Sequence, residues 1–434
     1  MLSHLPKLCA RAIGLIALQC AAAQAPPTAQ TLAQIDAFIE RERVQSRIPG
    51  IALAVVNQGR IVAVRGYGTR GEGERVTGDT PFPVGSLTES FTAILVRQLV
   101  EAGRIDIDAP VQRYLPWFTV AVREGTARIT VRHLLNQTSG LSREDGLRAV
   151  LTAGNADVDE LSRRVVTMRP TAKPGERFQY SNLNYVLLGA LVQAVEGKPW
   201  SQLVSERVLR PVGMLQSVTS PDAAPSMTQL HRYVFGLPVT ASLSFAPGLA
   251  PTGALVSSAN DMARYLAMLL SGGTGTDRAV LSPSAVASLL APASPPATRT
   301  LLGTGFDFRY GEGWFVGDFG SALNARWHLG NLATFAAWMV VLPEQQLGIV
   351  VLMNANSELP LFKADSTFSR IPIGIIDLLS GQTPPAGTSV STAYMKLNAA
   401  LATVTATLAI LCWMAARSRR IWPSAGLAVF AAVT

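Results

Sequence analysis

Ser86 and Glu89 stand three residues apart at the head of an apolar run, in Pro83-Val-Gly-Ser86-Leu-Thr-Glu89-Ser-Phe-Thr92. That spacing is just under one helical turn, so the two side chains share a face. A serine hydroxyl is a poor nucleophile until a neighbour takes its proton, and a carboxylate can take it. At a helix N-terminus the dipole also favours negative charge developing beside the serine. The same spacing has a plain structural meaning. Ser-x-x-Glu ahead of an apolar run is a capping box, in which Ser86 caps the helix and Glu89 bonds back to it. The pair alone leaves both meanings open.

Other chemistry is scarce. The four histidines form no HExxH or paired spacing, which argues against zinc. His328 sits in His328-Leu-Gly330-Asn331, a strand-and-glycine context that reads as a cleft, whereas His133 precedes an apolar run and reads as structural. Tyr185 and Asn184 read as helix packing, and Trp314 and Trp327 fit cleft lining and packing equally. The three cysteines, Cys9, Cys20 and Cys412, all lie in the apolar ends. The body therefore offers no thiolate, disulfide or Cys-based metal site. No metal and no cofactor are expected.

Five segments occur in an informative order. They are Pro83–Thr92; Arg132-His-Leu-Leu-Asn-Gln-Thr-Ser-Gly140-Leu; Phe178-Gln-Tyr180-Ser-Asn182-Leu-Asn-Tyr185; Thr252-Gly-Ala-Leu-Val-Ser-Ser258-Ala-Asn-Asp261-Met; and His328-Leu-Gly330-Asn331. Together they resemble serine β-lactamases and penicillin-binding-protein-like DD-peptidases, of the class C-like and esterase-like branches, over about residues 32–380. The resemblance implies Ser86 as nucleophile and Tyr180 as the group that touches the serine oxygen and passes a proton to the leaving group. It implies that Asn182 holds substrate or residue 89, and that the strand bearing His328 and Gly330 flanks the cleft. The backbone N–H of Asn331 would pair with that of Ser86 as an oxyanion hole.

Position 89 departs from the family pattern, which is Ser-x-x-Lys. Of the five lysines, Lys7, Lys173, Lys198, Lys363 and Lys396, none stands in a motif position. Exchanging a cation for an anion about 4 Å from the nucleophile changes the local field by several kcal/mol at an effective dielectric near 20. A partly buried glutamate, however, has a raised pKa, which suits it as a base. Two readings follow. The first is a membrane-tethered extracytoplasmic serine hydrolase acting on an amide, lactam or ester through an acyl-serine, with small peptide, acyl or peptidoglycan-like substrates by analogy. The second is a catalytically degenerate, membrane-tethered ligand-binding module.

The elements that must hold these residues can be sketched. Thr31-Leu-Ala-Gln34 reads as a capping box opening a helix with Ile35, Phe38 and Ile39 on one face. Ile51–Val56 and Ile61–Tyr67 flank Asn57-Gln58-Gly59-Arg60 as a hairpin, and Ala333–Leu342 with Leu347–Met353 make a second. Helices are expected at Ser86–Gly103, Val131–Gln137, Asn182–Val195 and Ser258–Leu270. Strands at both ends and helices between predict an α/β (α+β) fold: one antiparallel sheet flanked by helices, with a mostly helical subdomain and a C-terminal transmembrane helix.

The ends read as address and anchor. Residues 1–25 have the form of a signal peptide, with Lys7 and Arg11 before an apolar stretch and Ala23-Gln24-Ala25 at a cleavage site. Residues 26–381 form the hydrolase-like domain and 382–396 a linker opening on Gln382-Thr-Pro-Pro-Ala-Gly-Thr-Ser389. Leu397–Ala416 is uncharged and would span about 30 Å as a helix, the hydrocarbon thickness of a bilayer. Arg417, Arg419 and Arg420 follow, which puts that end in the cytoplasm and the body outside, at a bacterial inner membrane. Residues 417–434 thus combine a basic cluster with a second apolar segment, the possible start of another span. Setting aside Lys7, Arg11 and those three arginines leaves 32 basic against 29 acidic residues and no basic run, which excludes a nucleic-acid partner.

Overall fold

A computed structural model describes residues 25–121, 128–224, 226–301, 304–357 and 367–417. The signal-peptide segment up to Gln24 and everything after Arg417, including Arg419 and Arg420, lie outside the described residues.

The chain opens on helix α1 (Ala29–Ser46), which begins earlier than the Thr31 capping box predicts. Thr28 is the cap: it is extended at φ −70°, ψ 160°, and its hydroxyl accepts the Thr31 N–H at 3.1 Å. Pro26 and Pro27 keep the preceding chain out of the helix. Thr28→Ala should therefore lower the stability of the folded domain by about 1 kcal/mol. Thermal denaturation with an unchanged midpoint would refute that cap.

The hairpin reading of both ends holds. Strands β1 (Gly50–Asn57) and β2 (Arg60–Gly71) turn through Gln58 and Gly59, both at positive φ. After the two-residue β3 (Glu74–Arg75) come the small hairpin β4 (His231–Val234) and β5 (Leu237–Thr240). Then follow β6 (Ala297–Leu301), β7 (Thr304–Tyr310), β8 (Phe315–Phe319), β9 (Ala322–Leu332), β10 (Phe335–Leu342) and β11 (Leu347–Met353). The main sheet has nine strands in the order β3-β2-β1-β11-β10-β9-β8-β7-β6. It closes across the two ends of the body by antiparallel pairing of β1 with β11, from Ile51 opposite Met353 to Asn57 opposite Leu347. Every residue of β1, β10 and β11 is buried, so these central strands are covered on both faces and read as continuous apolar runs.

The covering comes from helices. α2 (Thr88–Glu101) and α3 (Asn182–Glu196) pack on each other at the head of the helical subdomain. α4 (Ala259–Leu270), capped by Ser258, packs on β1 and β11. α5 (Thr367–Leu379) packs on α1 and on β11. The last helix, α6 (Val390–Arg417), starts before the predicted boundary at Leu397. Ser389 caps it, accepting the Thr392 N–H at 3.1 Å, so the Pro/Gly/Thr linker ends there. α6 is long and apolar enough to cross a membrane, and its most apolar stretch is not buried by any of the described residues.

Candidate active site

Ser86 lies in a single 3-10 turn, Gly85–Leu87, that leads into α2. A two-strand pairing of Phe82–Pro83 with Val256–Ser257 fixes this turn beside the Thr252 segment. Gly85 has φ +54°, a conformation that favours glycine. On its other side runs β9. β8 pairs with β9 only as far as Trp327, so the edge from His328 to Asn331 faces the Ser86 turn. A side chain at Gly330 would put Cβ 1.9 Å from the Val84 carbonyl oxygen and 2.8 Å from the Ser86 nitrogen. Only glycine fits this approach, which sets the Ser86 N–H against the strand edge. Asn331 follows at the exposed end of β9, opposite Ala336.

Glu89 does not bond back to Ser86, and Leu87, the residue before α2, makes no side-chain cap. The capping-box reading is therefore overturned. The Glu89 side chain is 0% exposed. It accepts from four side chains on four other segments: Tyr180 Oη at 2.5 Å and Thr252 Oγ1 at 3.0 Å on one oxygen, Tyr310 Oη at 2.8 Å and Gln137 Nε2 at 3.4 Å on the other. The Ser86 side chain lies beside the Tyr180 phenol and acts on it, so the phenol stands between serine and carboxylate. It is half-buried and stacks on Phe315.

Protons can be placed from this geometry. Burial pushes the Glu89 carboxyl up to about 7, against the pull of its hydrogen bonds from Tyr180, Tyr310, Thr252 and Gln137. Burial and the neighbouring Glu89 charge hold the Tyr180 phenol well above its ordinary value. His328 is buried and pushed down to about 3, so it is neutral. Its Nδ1 lies 3.0 Å from the Leu329 carbonyl, an acceptor only, so the ring proton resides there and Nε2 is an acceptor. Tyr310 Oη, 3.0 Å from that Nε2, then has one proton for two acceptors, Glu89 and His328. The Thr252 hydroxyl is shared in the same way between Glu89 and Asn182 Oδ1, each at 3.0 Å. Among the described residues no cation touches the carboxylate, and its negative charge rests on hydroxyl and amide donors, of which Tyr310 and Thr252 have alternative acceptors.

All the predicted residues thus come to one place, with two differences of detail. His328 faces the buried side of the cluster through Tyr310 and not the open cleft. Asn182, the first residue of α3, bonds Thr252 and not Glu89. His133 is structural, as read: its Nδ1 accepts the Thr130 N–H at 3.1 Å. Trp314 and Trp327 are both buried, which decides for packing.

Gln137, Thr252 and Tyr310 were not among the expected site residues. Gln137 is a buried hub at φ +57°. Its Oε1 accepts the Ser181 N–H and the Asn184 amide at 2.9 and 2.5 Å while its amide reaches Glu89. Its place in the Gln137-Thr-Ser-Gly140 segment, already one of the five motifs, was the available signal. Tyr310 precedes Gly311-Glu312-Gly313, where a Cβ on Gly313 would meet the Ser90 Cα at 2.6 Å. That glycine seats the loop directly on α2 and delivers Tyr310 to Glu89.

Comparison with known proteins places the whole body of the chain. The profile of the Beta-lactamase family matches residues 35–371. Protein flp of Staphylococcus aureus (strain MW2) is 27% identical over 329 residues, 75% of this chain and 63% of the relative. Penicillin-binding protein 4 of Amycolatopsis lactamdurans is 31% identical over 289 residues, 64% of this chain and 73% of the relative. Among solved structures, the octameric penicillin-binding protein homologue from Pyrococcus abyssi superposes with a TM-score of 0.69 at 24% identity, covering 82% of this chain and 79% of the other. EstCE1, a hydrolase with promiscuous acyltransferase activity, superposes with a TM-score of 0.67 at 18% identity, covering 81% and 98%.

Proposed function

The chain belongs to the beta-lactamase family, and from that premise we propose that it is a membrane-tethered, extracytoplasmic serine hydrolase that cleaves an amide, lactam or ester through an acyl-serine. The observation that carries this reading is the Tyr180 phenol, bonded to Glu89 and set beside Ser86. The Ser86 oxygen attacks the substrate carbonyl carbon as its proton moves to the Tyr180 oxygen. The Tyr180 proton moves at the same time to Glu89. Tyr180 begins and ends neutral, consistent with a phenol held far above its ordinary pKa. Glu89, with a carboxyl near 7, is the group able to store the proton and return it through Tyr180 to the leaving atom. Water then attacks the acyl carbon and yields a proton to Glu89, the bond to the Ser86 oxygen breaks, that oxygen takes the proton back through Tyr180, and the acid product leaves.

Developing negative charge on the carbonyl oxygen falls to the N–H groups of Ser86 and Asn331, at the junction kept open by Gly330. Asn182, half-buried and turned by Thr252, is placed to bond the substrate. Substrates of the peptidoglycan-peptide, lactam or small acyl-ester class follow from penicillin-binding protein 4 and EstCE1, whose names attach to this same fold. The apolar helix α6, following an extended linker, supports the tether.

A ligand-binding module without turnover needs no carboxyl tuned near neutral behind its serine, so the arrangement favours the enzyme. Incubation of the full chain with a fluorophosphonate or a penicillin should add one acyl or phosphonyl mass. Peptide mapping should place it on Ser86 and Ser86→Ala should abolish it. A chain that stays unmodified by both probes would overturn the proposal.

A further inference from the structure

The β4–β5 hairpin carries an apolar tip that none of the described residues covers. Phe235 is 70% exposed and Leu237 53%, and Val234 and Val239 are also open to solvent. Tip residues of a soluble hairpin are ordinarily polar, because exposed apolar clusters at a turn have no compensating burial. This turn, Phe235-Gly236, is both apolar and firmly held. Gly236 is at φ +85°, where a Cβ would meet the Tyr394 side chain at 2.7 Å. Tyr233 stacks on Tyr394 with ring centroids 6.1 Å apart, and the Asn398 amide donates to the Phe235 carbonyl at 3.0 Å. The hairpin is thus fastened along the first three turns of α6. Its tip is level with Asn398, beside the start of the uncharged stretch at Leu397 and just before every residue of α6 becomes exposed at Ala399.

Charge follows the same geometry. Arg232 alternates with Val234 on the exposed face of β4, about 10 Å behind the tip at strand spacing. Lys396 is exposed, about 3 Å back along the helix from Asn398. An apolar tip with cations one step behind it matches the depth profile of a bilayer surface, acyl chains beneath and phosphates above.

We propose that the Val234–Leu237 turn is a second membrane contact: it enters the interface of the bilayer that holds α6, with Arg232 and Lys396 at the lipid phosphates. The contact rests on the reading of α6 as a membrane helix. Two attachments in place of one fix the rotation of the domain about α6, and so the direction in which the Ser86 cleft opens relative to the membrane.

The test uses the full chain reconstituted in vesicles of phosphatidylethanolamine and phosphatidylglycerol, with Cys9→Ser and Cys20→Ser. An environment-sensitive dye is placed either on Cys412, exposed within α6, or on Phe235→Cys or Leu237→Cys in a Cys412→Ser background. Quenching is read with nitroxide carried by the lipid and with iodide in the water. Melting curves matching the parent establish that the variants fold. The expected result is lipid quenching at all three sites, deep at 412 and shallow at 235 and 237. Lipid quenching at 412 with only iodide quenching at 235 and 237 overturns the second contact and leaves the anchor standing. Protection of 235 and 237 from both quenchers means that another copy covers the turn, and also overturns it. Absence of lipid quenching at 412 overturns the anchor and the hairpin contact with it.

Discussion

Replacing Glu89 by glutamine should lower the rate of acylation at Ser86 by about a hundredfold or more, the range by which a positioned general base accelerates a reaction. In the parent, acylation should rise with pH and level off above about 7, where the buried carboxyl ionises. Glu89→Gln should lose that limb as well as the rate. A purely structural role would lower activity without flattening the profile, so measuring the rate against pH separates the two.

The same substitution has a stability signature. Glu89 has a folded-state pKa raised from 4.5 to about 7 by burial. A raised carboxyl pKa means that the fold prefers the neutral form. Its contribution is fully present below about pH 4.5 and is lost as pH rises through 7. The loss amounts to about 3 kcal/mol for a shift of this size. Glu89→Gln should remove this fall, so that denaturant midpoints of the variant change less between pH 5 and pH 8 than those of the parent. An enzyme working near pH 8 would hold its base in the form that costs the fold most, the trade expected where function and stability compete at one residue. Equal pH dependence of stability in the two proteins would show that Glu89 is not the buried titrating group.

What the sequence disclosed and withheld has physical reasons. The hairpins of β1 with β2 and of β10 with β11 were legible because each joins two apolar runs across a short turn. Their pairing with each other, through β1 and β11, followed from strands at both ends needing a partner. β6, β7 and β8 were not foreseen, since their segments are short and broken by glycines such as Gly311, Gly313 and Gly317. Ser86 and Tyr180 stood out through local motifs. Tyr310 and Gln137 did not, because their contacts with Glu89 span 221 and 48 residues of sequence and depend on how loops pack. The glutamate at position 89 was ambiguous for the same reason. A capping box is a local bond, whereas the four donors it meets come from Gln137, Tyr180, Thr252 and Tyr310.

Those two tyrosines allow the relay itself to be tested, because they hold the same carboxylate from different sides. Tyr180 bonds Glu89 and lies beside Ser86, whereas Tyr310 bonds Glu89 and His328. Tyr180→Phe removes the oxygen through which the serine proton must travel and leaves the carboxyl out of reach. Acylation should fall by about a hundredfold or more at every pH. Tyr310→Phe leaves the path intact and removes one of the hydrogen bonds that hold the Glu89 pKa down against burial. Its rate at high pH should stay near that of the parent, while the rising limb moves to higher pH. The two variants are matched in chemistry, each losing one hydroxyl bonded to the same carboxylate. A general loss of packing would make them alike. A lowered plateau with Tyr180→Phe and a displaced limb with Tyr310→Phe would place the proton path through Tyr180. The reverse pattern would place it through Tyr310 and His328.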